Sequence, residues 1–134
     1  MERSEFFPNG GRRSGNSRWR KTVGGTALTG EGHSDGSAGP LSYLITIWWD
    51  DSAKTYRFFT CFKDGQGSSC IVRGTARWEG GTFVNEYEEL ENGKPVKWRD
   101  VFTSLTPTSR RLVAARQSAD GSFRTLITTR SVRK

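Results

Sequence analysis

The fold is decided by residues 69–105, which read SCIVRGTARWEGGTFVNEYEELENGKPVKWRDVFTSL. Two short pairs, Gly80-Gly81 and Asn92-Gly93, interrupt runs that are rich in Trp, Phe, Val and Tyr. Such pairs are favoured where antiparallel strands reverse direction, because two-residue turns need backbone angles that Gly and Asn adopt readily. The segment therefore predicts three consecutive antiparallel strands.

Pairing about Asn92-Gly93 separates the side chains of two strands into two different faces. One face carries Glu88 opposite Lys97, Glu86 opposite Arg99, and Val84 opposite Val101; the other carries Tyr87 opposite Trp98, Asn85 opposite Asp100, and Phe83 opposite Phe102. A slip by one residue would mix the two sets. Pairing about Gly80-Gly81 agrees, with Arg73 opposite Glu88 on the first face, and Trp78 opposite Phe83 and Gly74 opposite Tyr87 on the second. We expect the aromatic face to line the interior.

Similar patterns continue on both sides of this segment. They predict strands near 41–49, 54–63, 69–78, 82–91, 96–105, 110–118 and 122–132, after a first strand over 19–31 that bends at Gly24-Gly25. No stretch shows the 3.6-residue apolar period of a helix. About eight strands in up-and-down order predict an all-β, antiparallel barrel that can enclose one small ligand, with an open sandwich as the alternative.

Charge is distributed unevenly along the chain. Residues 1–21 carry a net charge of +4 and residues 110–134 carry +6, whereas the segment between them carries −3. We predict a flexible basic arm, rich in Gly, Arg and Ser, over 1–17 and a single barrel domain over 18–134. An anionic partner such as nucleic acid would require one patch built from Arg12, Arg13, Arg18, Arg20, Arg111, Arg124 and Arg130. We keep such a partner as the alternative function and favour the ligand-binding barrel, because the register buries most rings that could stack on bases.

The two cysteines do not form a zinc pattern, and we expect both to be free, partly buried thiols. Symmetry about Gly65-Gln66 would place Cys61 opposite Cys70 and point Arg57, Phe59 and Cys61 inward. A bulge in the 63–69 loop would invert the strand, burying Tyr56, Phe58 and Phe62 beside an inner row of Tyr43, Ile45, Ile47 and Trp49. We prefer the inversion, because it buries more apolar surface. Residues 1–5, MERSE, lack the apolar run of a signal peptide, and no segment could span a bilayer, so the expected location is the cytoplasm.

The polar residues predicted to lie inside define a candidate site. A five-residue loop over 106–110 would place Asp100 opposite Arg116, Phe102 opposite Ala114, and Ser104 opposite Leu112. Pairing about Asp120-Gly121 would then set Arg116 against Thr125, Ala114 against Ile127, and Ser118 against Phe123. The predicted ligand-binding residues are Asn85, Asp100, Arg116, Tyr87, Trp98, Trp78 and Trp49, which combine aromatic walls with a few convergent polar groups.

Two other uses of these residues remain open. Catalysis by Asp100 as a general acid or base would need a pKa near neutrality, whereas a neighbouring Arg116 would lower the pKa. A structural Asp100–Arg116 ion pair would need no ligand at all. We expect no cofactor and no metal; haem ligation through a histidine would have to use His33, the only histidine in the sequence.

The chain resembles the lipocalin-like (calycin) barrels, and in particular an uncharacterised bacterial domain family with that fold. The resemblance rests on TVGGTAL at 22–28, WD at 49–50 with KTYR at 54–57, NGKPVK at 92–97, and DGSF at 120–123, and it covers about 19–134. Residues 15–19, GNSRW, depart from the Gly-x-Trp strand with which such chains usually begin. The resemblance implies an internal cavity and no established activity. We therefore expect a lipocalin-like barrel, monomeric or homodimeric, that binds a small hydrophobic or aromatic molecule, with or without a carboxylate.

Overall fold

A computed structural model describes residues 2–6, 13–36, 39–65 and 67–133 of the chain. These residues form ten strands and one short 3-10 turn at Val23–Gly25. The strands are β1 (Glu2–Phe6), β2 (Arg13–Thr22), β3 (Ala27–Gly36), β4 (Leu41–Asp50), β5 (Thr55–Asp64), β6 (Gly67–Glu79), β7 (Thr82–Glu91), β8 (Lys94–Thr103), β9 (Ser109–Gln117) and β10 (Phe123–Arg133).

All neighbouring strands are antiparallel and follow one another in chain order from β2 to β10. β1 pairs with both β10 and β2, and these two pairings close the curled sheet into a barrel. The all-β antiparallel prediction is confirmed. The expected count of about eight strands is not, because the structure has ten.

One of the additional strands arises at Gly24-Gly25, where the sequence predicted a bend within a single strand. The chain instead reverses there, with φ values of 64° at Gly24 and 92° at Gly25. Both values lie in the left-handed region that glycine adopts without steric penalty. β2 and β3 consequently form a hairpin in which Trp19 lies opposite Gly30.

The other additional strand lies in the predicted flexible arm, and flexibility over 1–17 is not confirmed. Residues Glu2–Phe6 pair along their whole length with β10 and with β2. Ser17, at the other end of this segment, is only 1% exposed. Pairing of this kind uses backbone hydrogen bonds rather than apolar side chains. The Gly/Arg/Ser-rich composition therefore gave no indication of it.

The central register is confirmed. Every predicted pair between β7 and β8 is present, from Phe83–Phe102 to Glu88–Lys97. The predicted pairs Trp78–Phe83 and Gly74–Tyr87 between β6 and β7 are present as well, while the Arg73 side chain lies outside the described part of the structure. On the outer face, Arg99 Nε approaches Glu86 Oε1 at 3.8 Å.

A large ring occupies the space above Gly74, as the sequence predicted. A Cβ atom at this position would lie 2.2 Å from the ring of Phe58. Phe58 itself is 2% exposed and packs edge-on against Tyr87, with 5.6 Å between ring centroids. The inward orientation of Phe58 confirms the preferred facing of β5.

The bulge that produces this facing lies in the strand pair rather than in the 63–69 loop. The pairing of β5 with β6 shifts between Phe58 and Thr60. Beyond that shift Cys61 lies opposite Cys70, and the two form a disulfide with a Cα–Cα distance of 4.0 Å. The expectation of free thiols is therefore wrong. Because Thr60 and Phe62 face the interior, Cys61 points to the outer face, where the partner cysteine meets it.

Removing the disulfide should destabilise the protein. We expect the Cys61→Ser/Cys70→Ser double variant to lose about 2–3 kcal/mol of unfolding free energy, because a cross-link that closes a short loop restricts the unfolded chain. Urea denaturation of the oxidised and reduced wild type provides the matched comparison. The reduced wild type should behave like the double variant, whereas equal stability of all three forms would contradict a cross-strand disulfide.

Candidate functional site: the interior cavity

The barrel interior contains a cavity of about 480 Å³. Its wall is mainly aromatic and aliphatic, with Tyr43, Phe62, Tyr87, Trp98, Phe102 and Leu112 contributed by five strands. This size falls within the range of small-molecule sites, and so does the predominance of hydrophobic lining. The inner face predicted from β7 and β8 is therefore the face that lines the cavity.

Tyr87 and Trp98 form a stacked pair in this wall. They lie directly opposite each other on β7 and β8, with parallel rings whose centroids are 6.3 Å apart. Burial raises the pKa of Tyr87 far above its usual range, so its hydroxyl keeps a proton to donate. Phe58 also packs edge-on against Tyr87, and this contact supports the aromatic wall.

Asp100 introduces a carboxyl group into this apolar interior. It lies opposite Asn85, which is 5% exposed, as the sequence predicted. The pKa of Asp100 is raised to about 7, mainly by burial. The hydrogen bond with the Tyr87 hydroxyl lowers this pKa, whereas the nearby charge of Glu89 raises it. The Oδ1 atom of Asp100 is buried and has no hydrogen-bond partner among the described residues.

A second carboxyl group, that of Glu89, lines the same cavity. Burial is the main cause that raises the pKa of Glu89, and the charge of Glu91 adds to the effect. Glu89 and Asp100 are on adjacent strands, and the charge of Glu89 disfavours the ionised form of Asp100. The cavity therefore contains two neighbouring carboxyl groups in an apolar wall.

Arg116 does not lie opposite Asp100, which corrects the predicted ion pair. It lies opposite Trp98, while Asp100 faces Ala114 and Phe102 faces Leu112. The register differs from the prediction by two residues, which preserves the face but moves Arg116 about 7 Å along the strand. The guanidinium instead binds Glu91, with Nε donating to Oε1 at 3.0 Å and Nη2 donating to Oε2.

The cause of this shift is the loop between β8 and β9. The turn lies two residues earlier than predicted, over 104–108, with Ser104 at a φ of 52°. The Thr106 hydroxyl accepts a hydrogen bond from the Ser109 backbone at 2.9 Å, which closes the turn around Pro107. An irregular loop of this kind sets register through local hydrogen bonds, and these cannot be inferred from apolar patterning.

A bulge also corrects the pairing of β9 with β10. Ala114 lies opposite Ile127 as predicted, but the register shifts between Thr125 and Ile127. The predicted pairs Arg116–Thr125 and Ser118–Phe123 are wrong; the structure has Arg116–Arg124 and Gln117–Phe123.

The bulge also separates the residues of the predicted basic patch. Arg124 shares the face of Arg116, whereas Arg111 and Arg130 oppose each other on the outer face. The Arg12 residue and the Arg13 side chain lie outside the described part of the structure. The described arginines of the proposed patch therefore do not share one face of the sheet.

Trp49 and Trp78 belong to a different aromatic cluster, outside the cavity. Trp49 packs edge-on against Tyr56 at 4.9 Å between centroids, Tyr56 contacts Phe83 at 5.4 Å, and Phe83 contacts Trp78 at 5.1 Å. Trp49 is 46% exposed and Trp78 is 56% exposed. Neither lines the cavity, although each has the expected strand and phase, so their role in ligand binding stays a prediction.

Arg110 is a charged cavity residue that sequence reasoning missed, as are Glu89 and Asp64. It lines the cavity, and its guanidinium lies 4.6 Å from the ring centroid of Trp19 and 5.7 Å from that of Phe102. Its position two residues before the inward Leu112 could have indicated it. The sequence analysis instead assigned Arg110 to a loop over 106–110, whereas the structure places it in β9.

His33 lies away from the cavity, at the exposed end of β3. Its Nδ1 is 3.1 Å from Ser42 Oγ, and its Nε2 is 3.2 Å from Asp35 Oδ2. Within the described ranges, no group of three or more His, Cys, Asp or Glu side chains is arranged to hold a metal ion. None of the helical structure described is long and apolar enough to cross a membrane.

No protein-family model matches this chain, and no curated protein has a similar sequence.

From the sequence, Arg116 was expected to lower the pKa of Asp100 and so to make it unsuitable for acid–base chemistry. Because Arg116 binds Glu91 instead, its guanidinium does not lower the pKa of Asp100. A carboxyl group with a pKa of about 7 is within the range useful for proton transfer at neutral pH. Enzymatic use of Asp100 therefore stays a prediction, and lowering of its pKa by Arg116 no longer counts against it.

The raised pKa makes stability depend on pH. Between about pH 4 and pH 7 the unfolded chain releases the Asp100 proton while the folded chain retains it, so this group lowers stability as pH rises. Asp100→Asn removes the effect. We expect the variant to match the wild type near pH 4.5 and to exceed it near pH 8 by on the order of 2 kcal/mol, measured by urea denaturation. A difference that did not change with pH would contradict the burial of Asp100.

Proposed function

We propose that this chain is a lipocalin-like barrel that binds a small hydrophobic or aromatic molecule in its interior. The observation that carries the proposal is the cavity of about 480 Å³ between an aromatic wall and buried polar atoms. Drug-sized ligands bury most of their surface in sites of this kind, and the few polar groups fix their orientation.

Two polar atoms in the cavity wall support this proposal. Asp100 Oδ1 and Thr129 Oγ1 are both buried, and neither has a hydrogen-bond partner among the described residues. Thr129 is only 4% exposed and lines the cavity from β10. An unsatisfied buried polar group destabilises a protein by about 1–3 kcal/mol, so a ligand that bonds to these atoms would recover part of that energy.

The likeness to lipocalin-like barrels is supported by the antiparallel curled sheet and by its interior cavity. The proposed barrel uses ten strands rather than eight, because β1 and the β2–β3 hairpin add to the predicted set. Fold alone does not define a ligand, so the ligand must be argued from the cavity.

The disulfide bears on where this binding takes place. Disulfides persist in oxidising compartments and are rare in the cytosol of mesophiles. The Cys61–Cys70 bond therefore supports a function in an oxidising compartment rather than the predicted cytoplasm.

Binding can be tested with the neutral probe N-phenyl-1-naphthylamine, whose fluorescence increases in apolar surroundings. We expect saturable binding at one site per chain. Ala114→Phe should abolish it, because Ala114 is buried and lines the cavity, so the added ring would fill the space. Ala115→Phe is the matched control, since Ala115 is the adjacent residue on the outer face.

Both variants should first be shown to be folded by circular dichroism. Equal probe binding by the wild type and both variants would place the probe outside the cavity and contradict the proposal. Absence of saturable binding to the wild type would contradict it as well.

A further inference from the structure

The cavity has an excess of acidic groups. Three carboxyl side chains line it, those of Asp64, Glu89 and Asp100, against one guanidinium, that of Arg110. The protein as a whole carries a formal net charge of +7. The acidic interior is therefore opposite in sign to the rest of the molecule.

Three other carboxylates in this region are paired with cations. On the outer face, Glu86 accepts a hydrogen bond from Arg77 at 2.9 Å, and Glu79 accepts one from Arg99 at 2.9 Å. Glu91, next but one to Glu89, binds Arg116. By contrast, neither Glu89 nor Asp100 forms an ion pair within the described residues. Two carboxyl groups in the cavity thus lack the cation that their neighbours have.

The surroundings of these two groups favour a cation. Burial disfavours the ionised form of both carboxyls, the charge of Glu89 adds to this effect at Asp100, and a cation would offset the penalty. The parallel faces of Tyr87 and Trp98 line the same cavity, and aromatic faces attract cations. Thr129 Oγ1, in a side chain that is 4% exposed and lacks a partner among the described residues, offers a further acceptor.

An ammonium group fits this set of acceptors. It donates three hydrogen bonds and accepts none, whereas the cavity presents the acceptor oxygens of Asp100, Glu89 and Thr129. A carboxylate ligand would meet two acidic groups instead. The remaining wall is aromatic and aliphatic, and it suits the apolar body to which such an ammonium group is attached.

We infer, on the basis of the proposed binding function, that the ligand is an amphipathic amine whose ammonium group is held by Asp100 and Glu89. The apolar body of the amine lies against Tyr87, Trp98 and the aliphatic wall. The ionisable groups that share the cavity with Asp100 are Tyr43 on β4, Asp64 on β5, Tyr87 and Glu89 on β7, and Arg110 on β9.

The test is displacement of N-phenyl-1-naphthylamine at pH 8 by three matched naphthalenes. These are 1-naphthylmethylamine, which is a cation, 1-naphthalenemethanol, which is neutral, and 1-naphthaleneacetate, which is an anion. We expect the amine to bind about 10- to 100-fold more tightly than the alcohol, as for a charged hydrogen-bonded contact, and the acetate to bind least. Lowering the pH from 8 to 5.5 should remove most of the advantage of the amine, because Asp100 becomes protonated.

Variants separate this inference from simple charge effects. Asp100→Asn and Glu89→Gln should each reduce amine affinity about tenfold or more and should change alcohol affinity much less. Glu88→Gln is the matched control, because it removes the same charge from the adjacent, exposed residue. It should change neither affinity.

The outcomes also distinguish failure of the inference from failure of the proposed function. If the neutral probe binds in the cavity but the amine displaces it no better than the alcohol, the amine inference is overturned and the binding function stands. Preference for the acetate would overturn it too, and would assign selectivity to Arg110. If the neutral probe itself does not bind, the proposed function fails.

Discussion

The pairing of β7 with β8 is the constraint on which the rest of the structure depends. Once Asn92-Gly93 forms the turn, side-chain alternation places Tyr87, Trp98 and Asp100 on the same inner face. The same alternation sends Glu86 and Arg99 outward to form ion pairs in contact with water. A slip of one residue would expose the rings and bury the charges, so one short turn determines both the core and the cavity.

The inner face combines apolar packing with carboxyl groups that the fold does not neutralise. Burying an unpaired carboxyl group is unfavourable, and the protein limits this by keeping Asp100 largely protonated below pH 7. The nearby Arg116 could have compensated an interior acid, but it binds Glu91. Residues that lower stability in this way are common at sites whose function needs them, because a ligand can supply the missing partner.

Sequence reasoning predicted those parts of the fold that alternation and two-residue turns determine. These include the pairs of β7 with β8, the space above Gly74 and the facing of Phe58. It failed where register depends on irregular backbone. The loop over 104–108 moved Arg116 away from Asp100, and the bulge at Thr125 changed the residues opposite it.

Two further features could not have been inferred from apolar patterning. β1 is held by backbone pairing, for which its composition gives no indication. The structure combines a bulge at Phe58 with direct opposition of Cys61 and Cys70, which form a disulfide. The sequence analysis had treated the bulge and the cysteine pairing as two separate alternatives. For the same reason the candidate site was predicted only in part. Asp100, Tyr87 and Trp98 line the cavity, and Asn85 lies opposite Asp100 without lining it, whereas Arg110 was missed; their roles in ligand binding stay predictions.

The carboxyl group of Asp100 lies inside the barrel without a cation among the described residues, and the whole account depends on this feature. The most direct measurement is a carbon-13 NMR titration of the Asp100 side-chain carboxyl carbon, assigned by comparison with Asp100→Asn. The structure predicts a midpoint of about 7. A midpoint near the ordinary aspartate value of about 4 would show that Asp100 is solvated or paired with a cation, and would contradict the account.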